Sequence, residues 1–205
     1  MMKAYIMEYI GTTFLVLTVG FSQNPLAIGI MLGVMIYMGG HISGGHFNPS
    51  VTLSVYFRKK IEGKFVWGYI VCQVLGAFTA AFIYYMVYSN TFYPAPAEDI
   101  ELWKAILLEL LFTFAYCSVV LAIATSEKTK GNFVYGFAIG LTVTASAYTV
   151  GPITGGAFNP AVFLGPMLMD VFIGGNSAEH LVLYLVGPLG GSALAAIVYR
   201  IINVD

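Results

Sequence analysis

The sequence predicts an all-α polytopic membrane protein, with six transmembrane helices and two re-entrant half-helices in an inverted 3+3 repeat. Three observations predict it. Only 9% of the 205 residues are charged and 59% are hydrophobic, whereas a soluble domain carries about a quarter charged residues. Six apolar runs are long enough to cross a bilayer core of ~30 Å, which takes about 20 residues per helix. Finally, one motif occurs twice, 111 residues apart.

The first two apolar runs, residues 4–21 and 25–40, are separated only by Ser22, Gln23 and Asn24, which predicts a tight helical hairpin. A short run, 48–57, follows a glycine-rich stretch, and a long run spans 65–88. The second half repeats this order with runs at 103–125 and 133–150, a short run at 159–169 and a last long run at 180–202. The two short runs cannot span a bilayer. Re-entrant segments of this kind are tolerated only where their bare backbone lines a cavity or is buried in protein. The spans use nearly all of the chain, which predicts one membrane domain over 1–205 built from repeats near 1–92 and 99–205. Lys3 and Glu8 flank the start of the first run, and no small-residue cleavage site ends it, so a retained helix is expected there rather than a signal peptide.

Charge sets the orientation. With six spans and both termini cytoplasmic, eight of the nine basic residues fall inside and only Lys104 falls outside. The opposite orientation inverts that count, so the positive-inside rule favours cytoplasmic termini. The formal net charge is −1 and no basic arm exists, which gives no reason to expect nucleic acid as a partner. Cys72 and Cys117 lie inside apolar runs and read as small buried hydrophobes. No ligand spacing suggests a metal, and no cofactor motif is present.

The duplicated motif carries the chemistry. HISGGHFNPSVTL at 41–53 matches PITGGAFNPAVFL at 152–164. Glu8 and Thr12 find counterparts in Glu109 and Thr113, offset by 101, and Gly76 pairs with Gly190. Three spans per half is an odd number, so the second half enters from the opposite side, related to the first by a pseudo-two-fold axis in the membrane plane. In each motif an asparagine, Asn48 or Asn159, suits an N-cap, and the following Pro49 or Pro160 suits the first helical position. Ser50 and Ala161 come next. Both half-helices then start at the bilayer midplane, each presenting roughly half a positive charge. A lone Asn-Pro marks a turn, but two copies after Gly-Gly in inverted halves point to a pair of half-helix starts. Gly68, Gly76, Gly136, Gly140, Gly190 and Gly191 are expected at close helix crossings.

With these motifs, the glutamates and the late VGPLGG, the chain resembles the aquaporin, or major intrinsic protein, family over nearly its whole length. The resemblance implies a pore within each protomer, a homotetramer, a place in the cell membrane, and passive passage of water or small neutral solutes. It also implies that the Asn48 and Asn159 amides donate to a passing oxygen. Unwound carbonyls at Gly44, Gly45 and His46, and at Gly155 and Ala157, would accept hydrogen bonds from a single file. Dipole exclusion of ions is the expected physics of such a pore. An ionisable residue within a span is a functional hypothesis by default. For Glu8 and Glu109, bracing of the unwound loops is preferred over proton relay, and His41 and His46 are assigned to packing before pH gating.

One departure from the family bears on selectivity. Members usually carry an arginine three residues after the second Asn, and here that residue is Val162. The other implied filter positions are Ile28, Ala147 and Gly156, so the expected filter has no charge and no side-chain donor. Water-selective filters pair a histidine with the arginine, and glycerol-passing members place an aspartate after it. This chain has neither, since Phe163 takes the latter site, and Tyr184 with Leu185 looks mixed between the subclasses. A permissive pore for polyols, urea, ammonia, peroxide and water is the leading expectation. An apolar constriction that obstructs water by dewetting is the other. A secondary transporter shares the architecture, but no coupling carboxylates lie near the Asn pair. A structural or gated non-conducting role also stays open. No nucleophile–base pair suggests an enzyme.

Overall fold

The computed structural model describes residues 1–203, leaving Val204 and Asp205, the end of the expected second repeat, outside the described residues. Within them lie eight α-helices: α1 (Met2–Ser22), α2 (Pro25–Ser43), α3 (Pro49–Phe57), α4 (Gly63–Tyr88), α5 (Leu102–Ala124), α6 (Tyr135–Thr154), α7 (Pro160–Phe172) and α8 (Leu181–Ile202). Short 3-10 turns, Glu127–Thr129 and Ser177–His180, precede α6 and α8. Six of the helices are long and apolar enough to cross a membrane. The protein is therefore an integral, multi-pass membrane protein.

Local chemistry explains the punctuation. Gln23 ends α1 in the left-handed region (φ 50°), and Asn24 caps α2 by accepting the amides of Leu26 and Ala27 at 2.9 and 3.3 Å, with Pro25 at the first position. α2 and α6 both run about a turn beyond their apolar stretches, to Ser43 and Thr154, and the unwound stretches begin at Gly44 and Gly155. α6 does so despite Pro152 in its last turn, where Tyr148 and Pro152 both line a cavity. A proline there frees a carbonyl that a wet cavity can satisfy.

The two halves pack alike and interlock. α1 lies on α4 as α5 lies on α8, and α2 and α6 meet across the pseudo-axis. Each half-helix packs on the third helix of the opposite half, α3 on α8 and α7 on α4. Glycines permit the close crossings. A methyl on Gly76 would strike the Tyr9 carbonyl, and one on Gly191 would strike the Leu110 carbonyl. Tyr9 and Leu110 are related by the 101-residue offset, so Gly191, and not Gly190, is the counterpart of Gly76. Gly190 meets only the flexible end of Leu110, at 3.1 Å.

The outer surface suits lipid. Phe14, Ile30, Val34, Val71, Leu107, Leu141 and Ile197 are exposed along the spans, and Trp67 and Trp103 are exposed near helix starts, where amphipathic rings favour the interface. Buried polar side chains gather inside instead, around the two unwound loops.

Candidate functional site

Each unwound loop is four residues long, 44–47 and 155–158. Gly44 and Gly155 open them at φ 91° and 83°, Gly45 and Gly156 follow at 64° and 61°, and Phe47 and Phe158 close them, both at 49°. Glycine takes this left-handed region without penalty. The two phenylalanines do not, and they hold it because their rings are buried and their amides are pinned.

Glu8 and Glu109 do the pinning, and both are fully buried. Glu8 accepts the Ser43 hydroxyl (2.7 Å), the His46 amide (2.9 Å), the Phe47 amide (2.7 Å) and the Gln73 side-chain amide (2.8 Å). Glu109 accepts the Thr154 hydroxyl (2.8 Å), the Ala157 amide (3.0 Å) and the Phe158 amide (2.8 Å). Every partner but Gln73 has its mate 111 residues away. Tyr69 and Tyr184 add a second brace, donating to the Ser43 and Thr154 carbonyls at 2.7 and 2.6 Å. With amide donors taken up by the carboxylates, the loop carbonyls are left for other partners.

The asparagines meet at the centre. Asn48 caps α3 by accepting the Ser50 amide at 2.7 Å, and Asn159 caps α7 by accepting the Ala161 amide at 3.0 Å. Pro49 and Pro160 sit at the first helical positions. The side-chain amides cross over. Asn48 Nδ2 donates to the Phe158 carbonyl (3.0 Å) and Asn159 Nδ2 to the Phe47 carbonyl (2.9 Å). Each NH2 keeps a second hydrogen for another acceptor.

Two cavities flank this centre. One, termed outer because the charge pattern predicts that orientation, is about 510 Å³ and is lined by Ile28, Ala147, Gly156 and Val162 together with Asn48, Asn159, Gly155 and Ala157. The inner, about 910 Å³, is lined by Gly44, Gly45, His46, His41 and Val51. The residues inferred for the filter thus share one cavity, and among the described residues no charged side chain lines it. His41 is exposed, while the His46 ring is buried, with Nδ1 3.1 Å from the Thr52 hydroxyl.

The outer rim is tied down by Asp170. Its carboxylate accepts the Thr91 hydroxyl at 2.7 Å and the Ser177 amide at 3.0 Å. Burial pushes this carboxyl up, but the bonds from Ser177 and Thr91 outweigh that and hold it below the usual aspartate value. Nearby, the Ala97 amide donates to the Ile153 carbonyl at 3.0 Å. On the inner side Lys60 and Glu127 approach to 3.6 Å across the cavity mouth.

Sequence reading missed Gln73, Ser43, Thr154, Tyr69 and Tyr116. The signal was available for Ser43 and Thr154, which occupy matching motif positions as hydroxyl residues. It was absent for Gln73, whose third-helix context has no repeated partner. Cys72 and Cys117 are both free thiols. Among the described residues no group of three or more His, Cys, Asp or Glu could hold a metal.

Comparison with known proteins agrees with this architecture. The chain is 39% identical to aquaporin AqpM of Methanothermobacter thermautotrophicus over 183 residues, 85% of this chain and 74% of that one. It is 33% identical to glycerol uptake facilitator protein-like 6 of Lactiplantibacillus plantarum over 217 residues, 98% of this chain and 99% of that one. Its fold superposes on the aquaglyceroporin from Plasmodium falciparum with a TM-score of 0.84 at 23% identity, covering 97% and 95% of the two chains. Residues 1–199 match the major intrinsic protein family, and the chain belongs to that family, whose members are channels and not enzymes.

Proposed function

We propose that this protein is a passive channel for small neutral solutes of the glycerol and urea class, with water passing too. The observation that carries this reading is the uncharged outer cavity leading to the Asn48–Asn159 centre. Ile28, Ala147, Gly156 and Val162 form its filter. Lacking a guanidinium with its five donors and fixed charge, that filter is wide and poor in hydrogen bonds. The second hydrogens of Asn48 and Asn159, and the carbonyls of Gly44, Gly45, His46, Gly155 and Ala157, supply a polar track through the apolar bore. The positive ends of α3 and α7 face the centre and repel cations. Glu8 and Glu109 keep the track in shape and do not relay protons. Relatives named as a glycerol uptake facilitator-like protein and as aquaporins support the permeant class.

The whole chain works as one unit, four copies assembling with a pore in each. Both termini face the cytoplasm of a cell membrane, because eight of nine basic residues lie at one end.

The test is stopped-flow light scattering on proteoliposomes under sucrose and then glycerol gradients. Rapid shrinkage followed by fast glycerol re-swelling is expected. Fast water flux with glycerol excluded would remove the wide filter. No flux above the lipid background would remove the open channel in favour of a gated or structural role, and counterflow of labelled glycerol would indicate a transporter.

A further inference from the structure

Tyr116 is the one residue that lines both cavities among the described residues. It sits in the middle of α5, only 3% exposed, and its side chain interacts with that of Asn48. Asn48, Asn159 and Val162 line the outer cavity, and Val51 and His46 line the inner. The ring therefore stands where the two volumes are parted.

The repeat makes this position unusual. The 101-residue offset that relates Glu8 to Glu109 relates Leu15 to Tyr116. Leu15 lines only the outer cavity. Around this pair the Asn–carbonyl crossings and the matched Val51 and Val162 are symmetric, while His46 has Ala157 as its mate and Thr52 has Phe163. One half thus presents a short aliphatic group to the centre, and the other an aromatic ring with a hydroxyl.

We propose that Tyr116 is the specificity-determining residue of the pore, its ring setting the cross-section a solute must fit between the two cavities. This rests on the channel reading above. The filter of Ile28, Ala147, Gly156 and Val162 offers two small residues and no long side chain, so the narrowing falls at the centre and not at the outer mouth. The hydroxyl has a second consequence. It stands beside the Asn48 side chain, so a passing oxygen meets the tyrosyl hydroxyl as well as the second amide hydrogens of Asn48 and Asn159. Slender linear polyols pass end-on, and branched ones of the same chemistry are refused.

The experiment compares wild type, Tyr116→Leu, Tyr116→Phe and Tyr116→Trp in proteoliposomes, with glycerol and the branched tetraol pentaerythritol as probes. Helical circular dichroism and the size-exclusion profile serve as checks on folding. Wild type and Tyr116→Phe are expected to pass glycerol and exclude pentaerythritol. Tyr116→Leu, which restores the repeat's own leucine, is expected to admit pentaerythritol at a rate at least tenfold above wild type. Tyr116→Trp is expected to slow glycerol by a similar factor, and it decides the matter if the leucine variant does not fold. Passage of pentaerythritol through wild type, or unchanged rates in both the leucine and tryptophan variants, would overturn the proposal. A wild type closed to every solute but opened by Tyr116→Leu would uphold Tyr116 and overturn the open-channel reading. Closure of both would overturn the two together.

Discussion

Glu109 Oε2 accepts the amide of Phe158 at 2.8 Å, and the same bond joins Glu8 to Phe47 at 2.7 Å in the other half. In both places a carboxylate within a span fixes a phenylalanine in the left-handed region, so the loop shape depends on an acceptor one helix away. Replacing Glu109 with alanine strands the Ala157 and Phe158 amides, each costing ~1–3 kcal/mol when buried and unpaired, and leaves the Thr154 hydroxyl only the Val150 carbonyl. The variant is expected to unfold at least several degrees below wild type in detergent, with Glu109→Gln intermediate because one acceptor oxygen remains. Equal melting of all three would refute the bracing role.

Val162 stands at the outer cavity beside Gly156. Val162→Arg is expected to lower glycerol permeability about tenfold, a barrier increase of ~1.4 kcal/mol, while sparing water. Stopped-flow re-swelling measures it. Undiminished glycerol flux would show that this position does not limit passage.

The glycine assignments separate two neighbours. A Cβ at position 191 meets the backbone of Leu110 and Phe114, whereas one at 190 meets a movable leucine methyl. Gly191→Ala is therefore expected to destabilise the α5–α8 contact by about 1–3 kcal/mol, and Gly190→Ala to change stability little. Thermal unfolding of the two variants side by side tests the ranking, which a greater loss in Gly190→Ala would reverse.

Asp170 offers a pH dependence. Its folded value lies below the unfolded one, near 3.9, so its contribution is present above that value and is lost as pH falls through the lowered folded value. The melting difference between wild type and Asp170→Asn should stay constant from pH 8 to about 5 and shrink as pH falls below about 4. A difference already gone at pH 5 would contradict the lowered value.

Much of the fold was legible because the repeat fixes it. Two copies of GGxFNP and an odd number of spans per half admit few topologies. Helix ends were less legible, since Ser43 and Thr154 belong to helices through caps and braces that lie outside the apolar runs. Gly190 and Gly191 are adjacent in sequence, and only the crossing distinguishes them. Tyr116 was invisible for a different reason. An aromatic residue in an apolar span reads as core, and its departure from Leu15 has meaning only once both are placed at the junction of two cavities. The filter positions came from the family resemblance and not from spacing alone; the motif supplies only the register, counted from Asn48 and Asn159, and the four residues so placed line one cavity.

The crossed bonds from Asn48 to Phe158 and from Asn159 to Phe47 also bear on biogenesis. When the first three spans have left the ribosome, α3 has no α8 to rest on, and the Phe47 carbonyl has no donor until Asn159 is made. A nine-residue helix with open backbone groups cannot settle in hydrocarbon by itself. The segment around residues 44–57 must therefore wait at the membrane surface or in a protein shelter and fold inward late, together with its counterpart. Insertion of this chain ends in a joint closing step of its two halves, and a ribosome stalled before residue 159 would hold a protein whose centre has not yet formed.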